Sequence, residues 1–168
     1  VQTLSDFFRA SLNSGKDIVS LEGECRHITS YLQIQQVRYQ DILTYDVDIP
    51  EEIANCKIPK ITLQPLVENA LYHGIKNKRG KGRIVVTGRR EKDKCVIRVE
   101  DNGIGMTKER LNQVRGGLTT KIEDSNDFYG LYNVNERIRL KFGEEYGLSI
   151  DSVLQEGTCV EVWLPWES

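Results

Sequence analysis

The sequence predicts an α+β fold: a two-layer α/β sandwich, with helices on one face of a mixed, mostly antiparallel sheet, and a helical segment at the N-terminus. Three observations carry this expectation. About five runs rich in apolar and β-branched residues read as strands, most of them paired through tight turns. The segments between them repeat apolar residues at i, i+3, i+4 and i+7, the stripe of a helix that packs on a sheet. The chain has 168 residues, 39% of them hydrophobic, which suffices for one domain with a real core plus a helical extension.

The elements follow in order. QTLSDFFRASLN, residues 2–13, places Leu4, Phe7, Phe8 and Leu12 on one helical face, and Asn13-Ser-Gly-Lys breaks it. A longer helix is predicted over Ser20 to Arg38, with Leu21, Cys25, Ile28, Leu32 and Gln35 aligned. ILTYDVDI, Ile42 to Ile49, reads as a strand that Pro50 ends. The next helix starts near Thr62, because Pro65 is tolerable only in a first turn; Gly74 ends it. Its buried stripe is Leu63, Leu66, Val67, Ala70 and Leu71. Arg83 to Arg90 and Lys94 to Glu100 are strands about the turn Glu91-Lys-Asp. Lys108 to Val114 reads as a short helix and Gly116 to Asn126 as a mobile loop. Leu131, Val134, Ile138 and Phe142 mark another helix, closed by Gly143. Leu148 to Leu154 and Thr158 to Pro165 form a last hairpin about Gln-Glu-Gly, with the glycine expected at positive φ. Residues 1–40 are taken as the helical segment and 41–168 as the sandwich.

Composition excludes several classes. A formal net charge of −2 gives no general nucleic-acid-binding surface, and the basic clusters Lys76 to Arg83 and Arg89 to Lys94 read as solvated turns. No apolar run approaches the roughly 18 residues of a membrane span, and no signal peptide opens the chain. Cys25, Cys56, Cys95 and Cys159 form no CxxC and read as free thiols of a reducing compartment. The start, Val1-Gln-Thr-Leu, reads as mid-helix, so the chain is expected to be a piece of a longer protein.

The chemistry concentrates at three places. In VEDNGIGM, Val99 to Met106, Asp101 stands at a strand end, where side chains enter a cleft. A carboxylate only accepts hydrogen bonds. It suits adenine, which presents an exocyclic amine, and repels guanine, which presents a carbonyl there; leaving a buried partner unpaired costs about 1–3 kcal/mol. Gly103 and Gly105 allow main chain to lie against a flat base. On the preceding helix Asn69, His73 and Lys76 fall at i, i+4 and i+7 and share one polar face. An amide oxygen is a hard ligand fit for Mg²⁺ on phosphate oxygens, while His73 and Lys76 offer donors to phosphates. Third, in YGLYNV a helix opens at Gly130, and free N–H groups at a helix N-terminus attract anions. The segment Thr107 to Phe128, more than 20 residues with Gly116-Gly117 inside, is expected to be a lid.

Together these pieces resemble the GHKL ATPase superfamily of gyrases, heat-shock chaperones, histidine kinases and mismatch-repair ATPases. LVENALYHG resembles its N box, EDNGIGM its G1 box, YGLYNVNERI its G2 region and EGTCVEVWLP its closing hairpin. LQPLVENALYHGIK with GLYNVNERIRLKFG is similar to the LytS/YesM-type sensor histidine kinases, and LSDFFRASLN with ITSYLQIQQVRYQ to the end of their dimerisation segment. The resemblance implies a Bergerat-type fold that binds ATP and Mg²⁺. Asp101 would hold adenine with Thr158 near it, Asn69 would hold the metal, and Gly103, Gly105, Gly130 and Leu131 would supply close backbone. It further implies a homodimeric, membrane-anchored sensor whose cytoplasmic part passes the γ-phosphate to a histidine and then to a response regulator, with no direct nucleic-acid contact.

The chain departs from that pattern in two respects. The phosphoacceptor motif, of the type NPHFLFN, is absent, and the surroundings of His27 (EGECRHITSYL) do not match it, so no phosphoacceptor or other catalytic residue is assigned. Phe128 stands where the G2 region has a glycine, which would reshape the lid hinge. GHKL hydrolases carry a water-activating glutamate one helical turn before the metal asparagine. Here that position is Pro65, and Glu68, one residue before Asn69, is turned about 100° away. This favours phosphoryl transfer to histidine over hydrolysis. The other readings are an ATP-driven clamp, and a non-catalytic nucleotide-sensing or dimerisation module of the same fold.

Overall fold

The computed structural model describes residues 17–120 and 129–166. The helix expected over 2–13 and the hinge residue Phe128 lie outside this range. The described chain runs β1 (Ile18–Ser20), α1 (Leu21–Arg38), β2 (Leu43–Asp48), a 3₁₀ turn (Glu51–Ile53), β3 (Lys57–Pro59), α2 (Leu63–Asn69) with a π-helical turn (Ala70–Ile75), β4 (Gly82–Glu91), β5 (Lys94–Asp101), α3 (Lys108–Gly117), α4 (Tyr129–Phe142), β6 (Gly147–Val153) and β7 (Gly157–Pro165).

The main sheet has the order β2-β4-β5-β7-β6. Its pairs are antiparallel except β2–β4, which is parallel and joined through α2. The period-two pattern explains which face is which. Ile84, Val86, Cys95, Ile97, Val99, Val160, Val162 and Leu164 point to one side and are buried. The other side carries the ion pairs Arg83–Asp46, Arg89–Glu161 and Arg98–Glu100. Helices α1, α2 and α4 bury their stripes against the apolar side: Leu21, Ile28 and Leu32 from α1, Leu63, Leu66 and Val67 from α2, Leu131, Val134 and Ile138 from α4. This is the two-layer α+β sandwich expected from the sequence, and α1 shares its core.

Two local features differ from expectation. A small antiparallel sheet, β1 with β3, ties the residues before α1 to those before α2. Its three-residue strands are too short to show alternation. The segment Gly116 to Asn126 is not all loop, since α3 continues to Gly117. Thr107 caps its start, accepting from the Arg110 N–H at 3.2 Å. The buried stripe Leu111, Val114 and Leu118 extends past both glycines and anchors them, although glycine is a weak helix former.

Candidate functional site

The cleft opens at the C-terminal end of β5, between the sheet and α2. Asp101 closes β5, and the register sets Thr158 of β7 beside it and Ser152 of β6 beside Thr158. The Asp101 carboxylate accepts from the Gly103 N–H at 2.9 Å and from the Thr158 backbone N–H. Burial dominates its ionisation and pushes it from 3.8 up to about 6; the two N–H donors and Lys78 pull it back only in part.

Ser152 organises the neighbouring polar atoms. Its hydroxyl donates to the Gly157 carbonyl at 2.9 Å and accepts from the Met106 N–H at 2.9 Å. A serine has a single hydroxyl hydrogen, so Thr158 is the donor of the 2.8 Å contact between the two hydroxyls. Thr158 therefore turns lone pairs, not a hydrogen, to the cleft. With Asp101 it forms an acceptor pair, the complement of an amine.

Main chain approaches unusually closely here. A Cβ on Gly74 would stand 2.5 Å from Asp101 Oδ1, and one on Gly103 would stand 2.3 Å from the Gly74 carbonyl carbon. Gly105, at φ +66°, would place a Cβ 2.0 Å from the Val153 carbonyl oxygen. Gly74 thus serves the site rather than merely ending a helix.

Asn69, His73, Asp101, Gly105, Leu131 and Thr158 line one cleft. Lys76, Gly103 and Gly130 are not among its lining residues. Gly103 packs behind Asp101, on Gly74. Gly130 lies in the first turn of α4, and a Cβ there would be 3.5 Å from the Pro65 Cβ. Lys76 lies with its Nζ 5.6 Å from the Tyr72 ring centroid. The reason is the π turn. The Lys76 N–H bonds to the Leu71 carbonyl at 2.8 Å, five residues back, so the 3.6-residue phase that would align Asn69, His73 and Lys76 is lost after Ala70.

Leu66, Ala70, Val99, Met106 and Val160 supply apolar walls suited to a flat ring system. Gly74, Met106 and Ser152 are site residues that sequence reasoning passed over. The GIGM run could have exposed Met106; Ser152 shows only through the cross-strand register. Pro65 sits one turn before Asn69, and Glu68 accepts from the Gln64 amide at 2.9 Å and lies outside the cleft lining. Among the described residues no group of three or more His, Cys, Asp or Glu could hold a metal ion by itself. Asn69 fits a metal held mainly by a ligand's own oxygens and by water.

Comparison with known proteins agrees with the fold. A profile described as histidine kinase-, DNA gyrase B-, and HSP90-like ATPase matches residues 59–168, and a histidine kinase profile matches residues 1–43. The chain is 34% identical to the sensor histidine kinase BtsS of Escherichia coli over 99% of its length, and 36% identical to the sensor histidine kinase YesM of Bacillus subtilis over 98%. It is 35% identical to the sensor protein LytS of Staphylococcus saprophyticus over 98%. It spans 27%, 27% and 28% of those relatives respectively. Among solved structures, the histidine kinase domain of the Erythrobacter litoralis blue-light activated kinase superposes with a TM-score of 0.63 at 14% identity, over 98% of this chain and 72% of that one. The catalytic domain of histidine kinase ThkA gives a TM-score of 0.62 at 11% identity, over 89% of this chain and 95% of that one.

Proposed function

From its membership of the histidine kinase-, DNA gyrase B- and HSP90-like ATPase family, to which this chain belongs, we propose that it is the ATP-binding catalytic part of a two-component sensor histidine kinase. The observation that carries the proposal is that Asp101, Thr158 and Asn69 line one shared cleft. In this reading Asp101 and Thr158 accept from the adenine amine, and guanine's carbonyl meets two acceptors and is refused. Val99, Met106 and Val160 cover the ring. Asn69 would take one position on Mg²⁺, which, when bound, neutralises phosphate charge. His73, also in the cleft lining, can donate toward the phosphates.

Among the described residues, the position one turn before Asn69 carries no carboxylate. Pro65 is not titratable, and Glu68 is engaged with Gln64. Hydrolysis is therefore slow, and the γ-phosphoryl group is kept for a positioned histidine nucleophile. His27, whose Nε2 is 2.9 Å from Gln64 Oε1, is outside the cleft lining and is not assigned as that nucleophile. Residues 1–40 would be the end of the dimerisation and phosphoacceptor segment. The whole protein would be a homodimer that passes phosphate to a response regulator. Among the described residues no helix is long and apolar enough to cross a membrane. A membrane anchor, with this part facing the cytoplasm, is accordingly proposed for the whole protein and not for these helices.

Calorimetric titration with ATP and GTP in Mg²⁺, on wild type and Asp101→Asn, tests the proposal. ATP binds and GTP binds at least about tenfold more weakly, and the variant loses most of that difference. Equal affinities for the two nucleotides in the wild type would refute the assignment of Asp101.

A further inference from the structure

The turn that launches α2 is held from both sides by groups outside the cleft. The Glu24 carboxylate of α1, 4% exposed, accepts the backbone N–H groups of Ile61 at 2.9 Å, Thr62 at 3.1 Å and Leu63 at 3.2 Å. Arg137 of α4 donates to the carbonyls of Lys60 at 2.8 Å and Ile61 at 2.7 Å. The Lys60 N–H bonds to the Asp17 carbonyl at 2.8 Å. Ile61 itself sits at φ +59°, a left-handed conformation that a β-branched residue rarely adopts. Such a conformation persists only where its surroundings over-determine it. Thr62, the residue before α2, gives the helix no side-chain cap, because its hydroxyl donates backward to the Pro59 carbonyl at 2.6 Å. The orphan N–H groups at the head of α2 thus depend on a carboxylate from another helix.

We infer that Glu24 is a positioning residue for the cleft: it fixes the start of α2, and through that seven-residue helix the place of Asn69. The inference rests on the reading of the cleft as an ATP site. Both Glu24 oxygens accept, Oε1 from Ile61 and Oε2 from Thr62 and Leu63. A glutamine keeps the shape but turns an NH₂ toward one of these donors, so part of the cradle is lost. Asp101 is carried by β5 and placed by its pairing with β4 and β7, and it makes none of the turn's hydrogen bonds. Loss of Glu24 should therefore separate two parts of nucleotide binding: the phosphate and metal part near Asn69 weakens, and the base part near Asp101 does not.

The experiment measures Kd for Mg-ATP and for adenosine on the 168-residue chain: wild type, Glu24→Gln, Arg137→Ala and, as an exposed control on the same helix, Glu22→Gln. For Glu24→Gln the Mg-ATP affinity falls about tenfold while adenosine affinity stays within about twofold, a split that loss of positioning produces and loss of global stability does not. Arg137→Ala gives the same split at smaller amplitude, and it carries the test alone should Glu24→Gln fail to fold. Glu22→Gln changes neither affinity. Parallel losses of both ligands, or no change in either, overturn the inference. Wild type that binds neither ligand refutes instead the ATP reading on which it rests.

Discussion

Asp101 shows most directly how one residue ties sequence to chemistry. Its folded carboxyl titrates near 6 instead of 3.8 because burial outweighs its donors. In the unfolded chain the group has already lost its proton by then. Between these values the folded form binds the extra proton, so this group's stability contribution is present at low pH and is lost as pH rises through about 6. Ligand binding runs the other way, since the charged carboxylate is the better acceptor. Adenosine, which has no titrating phosphate, should bind more tightly at pH 7 than at pH 5, with Asp101→Asn flattening that profile; an identical slope in the variant would remove Asp101 from the account. Asp101 and Asn69 were legible in the sequence because their chemistry is local: a carboxylate at a strand end, an amide on a helix flank. Ser152 and Gly74 were not. Their roles arise from neighbours distant in the chain, namely the Met106 N–H for Ser152 and the Asp101 carboxylate for Gly74. The thiols make the same point. Cys56 and Cys95 are far apart in sequence, yet they lie within hydrogen-bonding reach in the core, and burial raises both Cys95 and Cys25, the latter to about 12.

At the scale of elements, periodicity located every long helix and strand within the described residues to within a few positions, because burial of a continuous stripe decides them. It missed what breaks the period. The π turn at Ala70–Ile75 removed Lys76 from the expected face, and nothing in ALYHGI distinguishes such a turn from an ordinary one. The glycines in α3 argued for loop, and the burial of Leu118 beyond them prevailed. Turn chemistry has its own exceptions. The β4–β5 hairpin pairs Glu91 with Lys94 and turns on Lys92 and Asp93, with Lys92 at φ +59°. Lys92 is exposed, and its carbonyl accepts from Arg90 Nε at 2.9 Å, a bond that glycine keeps. Lys92→Gly removes the left-handed strain and should stabilise the fold by about 0.5–1 kcal/mol, seen as a raised Tm in thermal denaturation; a lowered Tm would show that the turn's strain is compensated elsewhere.

For the whole molecule, the two-layer plan followed from counting strands and stripes, whereas the junction of its parts did not. Residue 40 looked like a boundary because the helical pattern ends there. In the folded chain α1 contributes Leu21, Ile28 and Leu32 to the core under the sheet, and Glu24 to the head of α2. A segment that a sequence reader separates by periodicity is thus joined to its neighbour by packing. The parallel seam between β2 and β4 has a corollary in time. Hairpins close over a few residues, but Leu43 meets Gly82 only after the whole excursion through β3 and α2 has been organised. Zippering of β4 onto β5 comes early, and the outermost ribbon is sewn on last. In pulse-labelled refolding, amides of Thr87 and Arg98, which face the β4–β5 seam, should resist deuterium before those of Thr44 and Asp46, which face β4 from β2, leaving a transient species with one bare margin that is open to mispairing until the polypeptide's early third arrives to cover it.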